Sequence, residues 1–354
     1  DFRIGFSFNQ KSSLYNFLKS QNFKDEDILK SNLVKRDNNN KIRDFFYKRL
    51  IFPIADENNK IVGFGGRVLN NSNPKYINSP ESNFFKKRSI LYNLNQAKNT
   101  IRSKKNILIC EGYMDVISLY ENNIKTAVAP LGTSLTENQL MLSWKYANKP
   151  TIMFDGDSAG VRAGYKSALM ALPFLSPNKY LQFIKLPDGY DPDSFINKFS
   201  LAKFVKILKQ PLSIVNFIFE QSSSTIDLTN SDNKITFDKY IDDLIDTIKD
   251  KKIKYFYKNE FKNLFFEKIK SKRIKPDIIN LPNKLEPIIE KQINSFLISY
   301  LNHIKIRSNL DKIFDDTEIF NNEQMKFIKF FQSFYFKSLS LEEIIVSELP
   351  SDIS

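Results

Sequence analysis

Histidine and cysteine are nearly missing from this chain: its 354 residues include one of each, His303 and Cys110. A single cysteine excludes a disulfide framework, which fits a reducing compartment. Two such residues also cannot assemble a Cys/His zinc site within one chain. Imidazole chemistry has only His303 to draw on. Catalysis in the first two-thirds must therefore rest on carboxylates, lysines, arginines or metals held by oxygen ligands. No apolar run approaches the roughly 18 residues of a membrane-spanning helix, and Asp1-Phe2-Arg3-Ile4-Gly5 lacks the pattern of a signal peptide. We expect a cytoplasmic protein with no membrane partner. A starting Met is absent as well, from which we expect a further segment upstream.

Apolar residues, by contrast, are plentiful. They make up 42% of the chain, with 32 phenylalanines, enough to build buried cores. The length suggests two or three domains. Lys and Arg outnumber Asp and Glu by 53 to 40, a formal charge of +13. That surplus favours a polyanionic partner, although lysine-rich chains also arise without one.

Residues 50–54 and 60–64 are short apolar runs flanking a polar turn, which predicts a β-hairpin. From residue 104 the pattern changes. Apolar runs at 107–110, 126–129, 151–154 and 180–186 alternate with helical stretches at 113–121 and 158–172. Ser134 and Glu137 form a capping box for another helix between them. This recurrence argues for an α/β fold with a parallel sheet flanked by helices. Residues 201–354 read as mostly helical, interrupted by linkers at 222–233 and 275–282. We divide the chain into a basic α+β subdomain (1–100), an α/β domain (101–200), a helical subdomain (201–274) and an all-helical C-terminal region (275–354).

Ligands of parallel α/β sheets bind beyond the carboxyl ends of the strands. Acids gather at three of the four ends here. Glu111 follows the first run, Asp155 and Asp157 the third, and Asp191 and Asp193 the fourth, while Asp115 lies about one helical turn beyond Glu111. Several carboxylates in one cleft repel one another unless a cation compensates. Mg²⁺ is the natural choice, and two ions could activate a hydroxyl and stabilise a pyrophosphate leaving group. The competing reading is that these acids cap the following helices, as Asp157 could at Ser158. Ahead of the acids, Arg67, Lys75, Lys86, Lys87 and Arg88 interleave with Tyr76, Phe84, Phe85 and Tyr92. Such a mixture can grip phosphates and stack bases, or be a solvated face over ordinary core aromatics. Gly63-Phe64-Gly65-Gly66 is not a phosphate loop, since no helix or lysine follows it.

At these residues the chain resembles bacterial primases of the DnaG family. The similarity runs through Phe52-Pro53-Ile54 to Gly65-Gly66-Arg67, then Pro74-Lys75-Tyr76-Ile77-Asn78-Ser79-Pro80-Glu81. It continues at Glu111-Gly112-Tyr113-Met114-Asp115-Val116 with Leu131-Gly132-Thr133. It ends at Asp155-Gly156-Asp157-Ser158-Ala159-Gly160 and residues 187–193. The resemblance implies a TOPRIM fold and a DNA-directed RNA polymerase that makes primers by metal-dependent nucleotidyl transfer. It implies Glu111, Asp155 and Asp157 as catalytic metal ligands for Mg²⁺ or Mn²⁺. Asp115, Asp191 and Asp193 would support them or hold a second ion. It further implies Arg67, Lys75, Asn78 and Lys87 as nucleic-acid- or nucleotide-binding residues; at Arg88 the family's usual glycine is replaced. The family's zinc domain lies upstream of the segment matched here. Implied partners are single-stranded DNA template, NTPs, the RNA primer and a DnaB-type replicative helicase bound by the C-terminal region, with the chain monomeric. Two other readings stay open: another TOPRIM enzyme such as a nuclease or topoisomerase, or a module that chiefly binds helicase and single-stranded DNA. No distinct tyrosine nucleophile stands out for a topoisomerase.

Overall fold

The computed structural model describes residues 2–273 apart from residues 9, 10, 71, 133 and 225. His303, the linker expected at 275–282 and the C-terminal helical region lie outside the described residues.

The chain starts with β1 (Gly5–Phe6), α1 (Ser13–Ser20), α2 (Asp25–Lys30) and a hairpin of β2 (Val34–Arg36) and β3 (Ile42–Asp44). Asp44 is buried because it caps α1 from a distance, its carboxylate accepting the Leu14 and Tyr15 amides. The expected hairpin is present as β4 (Arg49–Ala55) and β5 (Ile61–Val68). Its turn is tied by Asp56, whose carboxylate accepts the Asn58 and Lys60 amides. With β6 (Tyr76–Asn78) these strands make an antiparallel sheet ordered β1-β4-β5-β6.

Next come β7 (Leu91–Tyr92), α3 (Leu94–Lys104), β8 (Leu108–Ile109), α4 (Tyr113–Glu121), β9 (Ala127–Pro130), α5 (Glu137–Trp144), β10 (Thr151–Phe154), α6 (Ser158–Ala171) and β11 (Gln182–Lys185). Then follow α7 (Pro192–Phe199), α8 (Leu201–Leu208), β12 (Leu212–Ser213), α9 (Ile214–Ser223), α10 (Ser231–Asp246) and α11 (Lys251–Arg273). The second sheet is ordered β12-β11-β10-β8-β9-β7. Its four central strands are parallel, as the alternation of strand and helix predicts. Both edges, β7 and β12, run antiparallel. β12 arises inside the segment read as helical, because two residues are too few to carry a periodicity of their own.

Side chains alternate across this sheet and build two cores. Ile107, Ile109, Val128, Ile152, Phe154 and Phe183 face one layer, which α9, α10 and α11 close; the Phe183 and Phe217 rings stack at 4.1 Å. Residues 214–261 therefore complete the core of this sheet. Leu108, Cys110, Ala127, Ala129, Met153 and Ile184 face the other layer, which includes Phe52, Ile54 and Phe85 from the N-terminal part. The two sheets thus share one apolar layer.

The capping box falls two residues later than expected. Thr136, not Ser134, is the N-cap of α5, and Gln139, not Glu137, closes the box. Gln139 wins because its amide also donates to the carbonyls of Lys87 and Ile90, which a carboxylate cannot do. Among the described residues no helix is long and apolar enough to cross a membrane.

Candidate active site

A cleft of about 700 Å³ opens where β8 and β10 end, against the rim of the first sheet. It gathers Glu111, Asp115, Asp155, Asp191 and Asp193 along one part of its wall, with Arg67, Lys75 and Asn78 along another.

Local structure fixes each acid. Glu111 lies one residue before Gly112, the N-cap of α4, and its Oε2 accepts the Asp155 amide at 3.4 Å. The ends of β8 and β10 are thereby joined. Asp115 sits in the first turn of α4, where its Oδ2 accepts the Gly112 amide at 2.9 Å. Asp191 caps α7 by accepting the Ser194 amide. Asp193 accepts the Ser118 hydroxyl at 2.7 Å, binding α7 to α4. Asp157 takes the capping role that the sequence left open. Its Oδ1 accepts the Ala159 and Gly160 amides at 2.9 and 2.7 Å, and the residue is exposed outside the cleft lining. Its charge still reaches the site, raising the pKa of both Glu111 and Asp155.

Two glycines make the Asp155 turn possible by close approach. A Cβ on Gly156 would lie 2.1 Å from the Pro187 carbonyl oxygen, and one on Gly160 would lie 2.3 Å from that of Asp155. A side chain at either position would drive β10, α6 and the 187–191 loop apart.

The cluster is electrostatically unfinished. Burial and then the Asp115, Glu111, Asp191 and Asp157 charges push Asp155 up to about 8. Burial, opposed by the Gly112 amide and reinforced by Asp191, Glu111 and Asp193, pushes Asp115 up to about 7. Burial raises Glu111 too. Asp155 Oδ1 is buried without any hydrogen-bond partner. Among the described residues no three Asp, Glu, His or Cys side chains close around one point as a finished metal cage. Five of the acids instead line the open cleft. An orphaned carboxylate oxygen among mutually repelling carboxylates, all hard oxygen donors, fits a divalent cation such as Mg²⁺ or Mn²⁺.

The basic wall is organised by residues that sequence patterns did not single out. Arg49 is buried, and its guanidinium donates to the carbonyls of Gly66, Pro74 and Lys75, pinning the strand end that carries Lys75. It opens β4 directly ahead of the apolar run, where a charged residue gives no signal of burial. Tyr113 donates to Asn78 Oδ1, while Asn78 Nδ2 donates to the Leu131 carbonyl at 2.8 Å. The Tyr113 ring fills the space a side chain on Gly65 would need: a Cβ there would lie 2.7 Å from it. The glycine-rich strand is thus a packing device. Arg67 and Lys75 flank Tyr76, at 5.6 and 6.0 Å from its ring centre. Lys87 stands apart from the cleft lining, exposed on a single-turn 3₁₀ segment.

Residues 1–98 match the family described as DNA primase catalytic core, N-terminal domain, and residues 108–196 match the Toprim-like family. The crystal structure of a DNA primase domain from Pseudomonas aeruginosa is similar, with a TM-score of 0.70 and 30% identity over 77% of this chain and 86% of that one. The structure of a DnaG primase catalytic domain bound to ssDNA follows at 0.68 and 31%, over 75% of this chain and 83% of that one. The chain belongs to the DnaG primase family. Among full-length relatives, the DNA primase of Buchnera aphidicola subsp. Acyrthosiphon pisum (strain APS) is 36% identical over 279 residues, covering 75% of this chain and 48% of that protein. This DnaG-family chain spans about half the length of the primases it matches, and its TOPRIM fold and N-terminal α+β sheet are those of the family's catalytic core.

Proposed function

We propose that the chain is the polymerising part of a DNA primase, which transfers a nucleoside monophosphate from an NTP to a ribonucleotide 3′-hydroxyl on a single-stranded DNA template. The observation that carries the reading is the junction of Glu111 with the Asp155 backbone, which brings acids far apart in sequence to one cleft rim. Glu111 and Asp155 would be the principal ligands of Mg²⁺ or Mn²⁺. Asp157 has its Oδ2 left for a third bond, and Asp115, Asp191 and Asp193 would support these ligands or hold a second ion. Bound there, divalent ions supply charge neutralisation for the attacking hydroxyl and the departing pyrophosphate.

The chain's own groups do the positioning. Arg67 and Lys75, lining the same cleft as the acids, neutralise phosphates there. Asn78, locked by Tyr113 and Leu131, presents a fixed polar edge beside them. Lys87, outside the cleft, is suited to a more distant phosphate. A solved relative described as bound to ssDNA supports a single-stranded template. We extend the proposal to the boundaries 1–100, 101–200, 201–274 and 275–354, to binding of a DnaB-type helicase by the last of these, to a monomeric chain and to a cytoplasmic location.

Incorporation of labelled NTPs on a defined single-stranded template, with Mg²⁺ or Mn²⁺, tests the reading. Asp155→Ala should abolish synthesis while circular dichroism shows an unchanged fold. Synthesis retained at saturating metal would refute the assignment.

A further inference from the structure

Of the aromatics interleaved with the basic series, the structure buries Phe85 and Tyr92, at 1% and 3% exposure, and leaves Phe84 at 84%. Phe84 is the most exposed large apolar side chain among the described residues. A single exposed ring needs no partner by itself; what sets this one apart is the cations around it and the turn that presents it.

Its presentation is rigid. Ser82 Oγ accepts the amides of both Phe84 and Phe85, and the Ser82 amide donates back to the Phe85 carbonyl at 3.0 Å. Phe85 anchors the turn, with its ring against Gly63, where a Cβ would lie 2.9 Å away. On the far side, the Lys87 and Ile90 carbonyls accept the Gln139 amide, and the Arg88 carbonyl accepts the Thr136 hydroxyl. The turn is bolted at both ends, and Phe84 projects from it beside Lys86, Lys87 and Arg88. All three are exposed, and none joins an ion pair among the described residues. Phe256 on α11 makes the contrast: it is 65% exposed and also near lysines, but Lys254 and Lys258 there are tied to Asp246 and Asp242.

We infer that residues 82–88 form a second nucleic-acid site beside the cleft, in which Phe84 stacks on a base of single-stranded DNA while Lys86, Lys87 and Arg88 hold the flanking phosphates. An aromatic face with adjacent cations is the chemistry that grips single strands without reading sequence. Phe84 is six residues beyond Asn78, within about 20 Å of the cleft along the chain. The site rests on the proposed template binding and would hold the strand where it enters or leaves.

The test measures anisotropy of the full chain with a labelled oligothymidine and with an abasic strand of equal length. Phe84→Ala should weaken oligothymidine binding roughly tenfold and leave the abasic strand unaffected, since only bases stack. Phe84→Trp should restore binding. Because the chain's one tryptophan, Trp144, is buried, quenching of the new indole by DNA would report the stack directly. The triple variant Lys86→Gln, Lys87→Gln, Arg88→Gln should weaken both strands and lower the salt slope by about 2. Equal effects of Phe84→Ala on both strands, or none on either while the parent chain binds, would overturn the stack and leave the primase reading intact. No effect on either strand would point to a protein partner for the ring. A parent chain that binds neither strand would overturn both.

Discussion

Replacing Asp155 by Asn removes one charge from the acid cluster and barely alters its shape, so it isolates the electrostatic cost of the site. In the folded protein this carboxyl titrates at about 8, against an ordinary value near 3.8. The folded chain therefore holds a proton that the unfolded chain has released, and metal-free stability falls as pH rises from about 4 to about 8. Ionising the carboxyl in that setting costs about 6 kcal/mol before solvent screening is counted. Partial exposure to solvent screens that interaction to roughly 2 kcal/mol. Metal-free Asp155→Asn should therefore melt roughly 3–4 °C above the parent near pH 8. Near pH 5, where the parent carboxyl is protonated, the gap should mostly close. Mg²⁺ should reverse the order: a ligand at about a hundred times its Kd adds about 2.7 kcal/mol to the parent, and the variant should lose most of that gain. Thermal scans in EDTA and in excess Mg²⁺ at both pH values read all four quantities. A variant less stable than its parent near pH 8 without metal, together with an undiminished Mg²⁺ response, would refute the reasoning.

Gly160→Ala should lower stability by about 1–3 kcal/mol through overpacking against the Asp155 backbone and should blunt the Mg²⁺-induced rise in melting temperature; unchanged melting would mean that α6 does not sit so close to β10. Gln139→Glu places a carboxylate against the Lys87 and Ile90 carbonyls in a residue that is 2% exposed. Urea denaturation should show a loss of about 2–4 kcal/mol, and a loss under about 0.5 kcal/mol would show that the amide is dispensable.

The α/β half was legible because its strands are buried on both faces and read as uninterrupted apolar runs; residues 151–154 were placed to the residue. Acids at the ends of such runs followed from topology, whereas the close approaches at Gly156 and Gly160 came to light only in the fold. The misses share a cause, which is that long-range partners decide them. Two capping boxes overlap at 134–139, and only the carbonyls of Lys87 and Ile90 choose between them. Asp157 had two roles open to it, and the amides of α6 engage one of its oxygens. Arg49 stands beside Lys48 at the start of a strand, where a charged residue reads as an ordinary polar boundary, yet it reaches the carbonyl of Pro74, 25 residues away. β12 is a two-residue edge with no local signature. Phe84 and Phe85 are adjacent and chemically identical, and only the fold separates a core anchor from an exposed ring.

The apolar layer common to both sheets has a mechanical corollary. Phe52, Phe85, Met153 and Tyr113 belong to one close-packed slab, so the cationic and anionic banks of the cleft are cast on a single stiff frame. Their separation behaves as a fixed gauge, and a phosphate chain must conform to it. Trimming a ring from that slab would reset the gauge from a distance, altering which strands fit although every charged group remained in place.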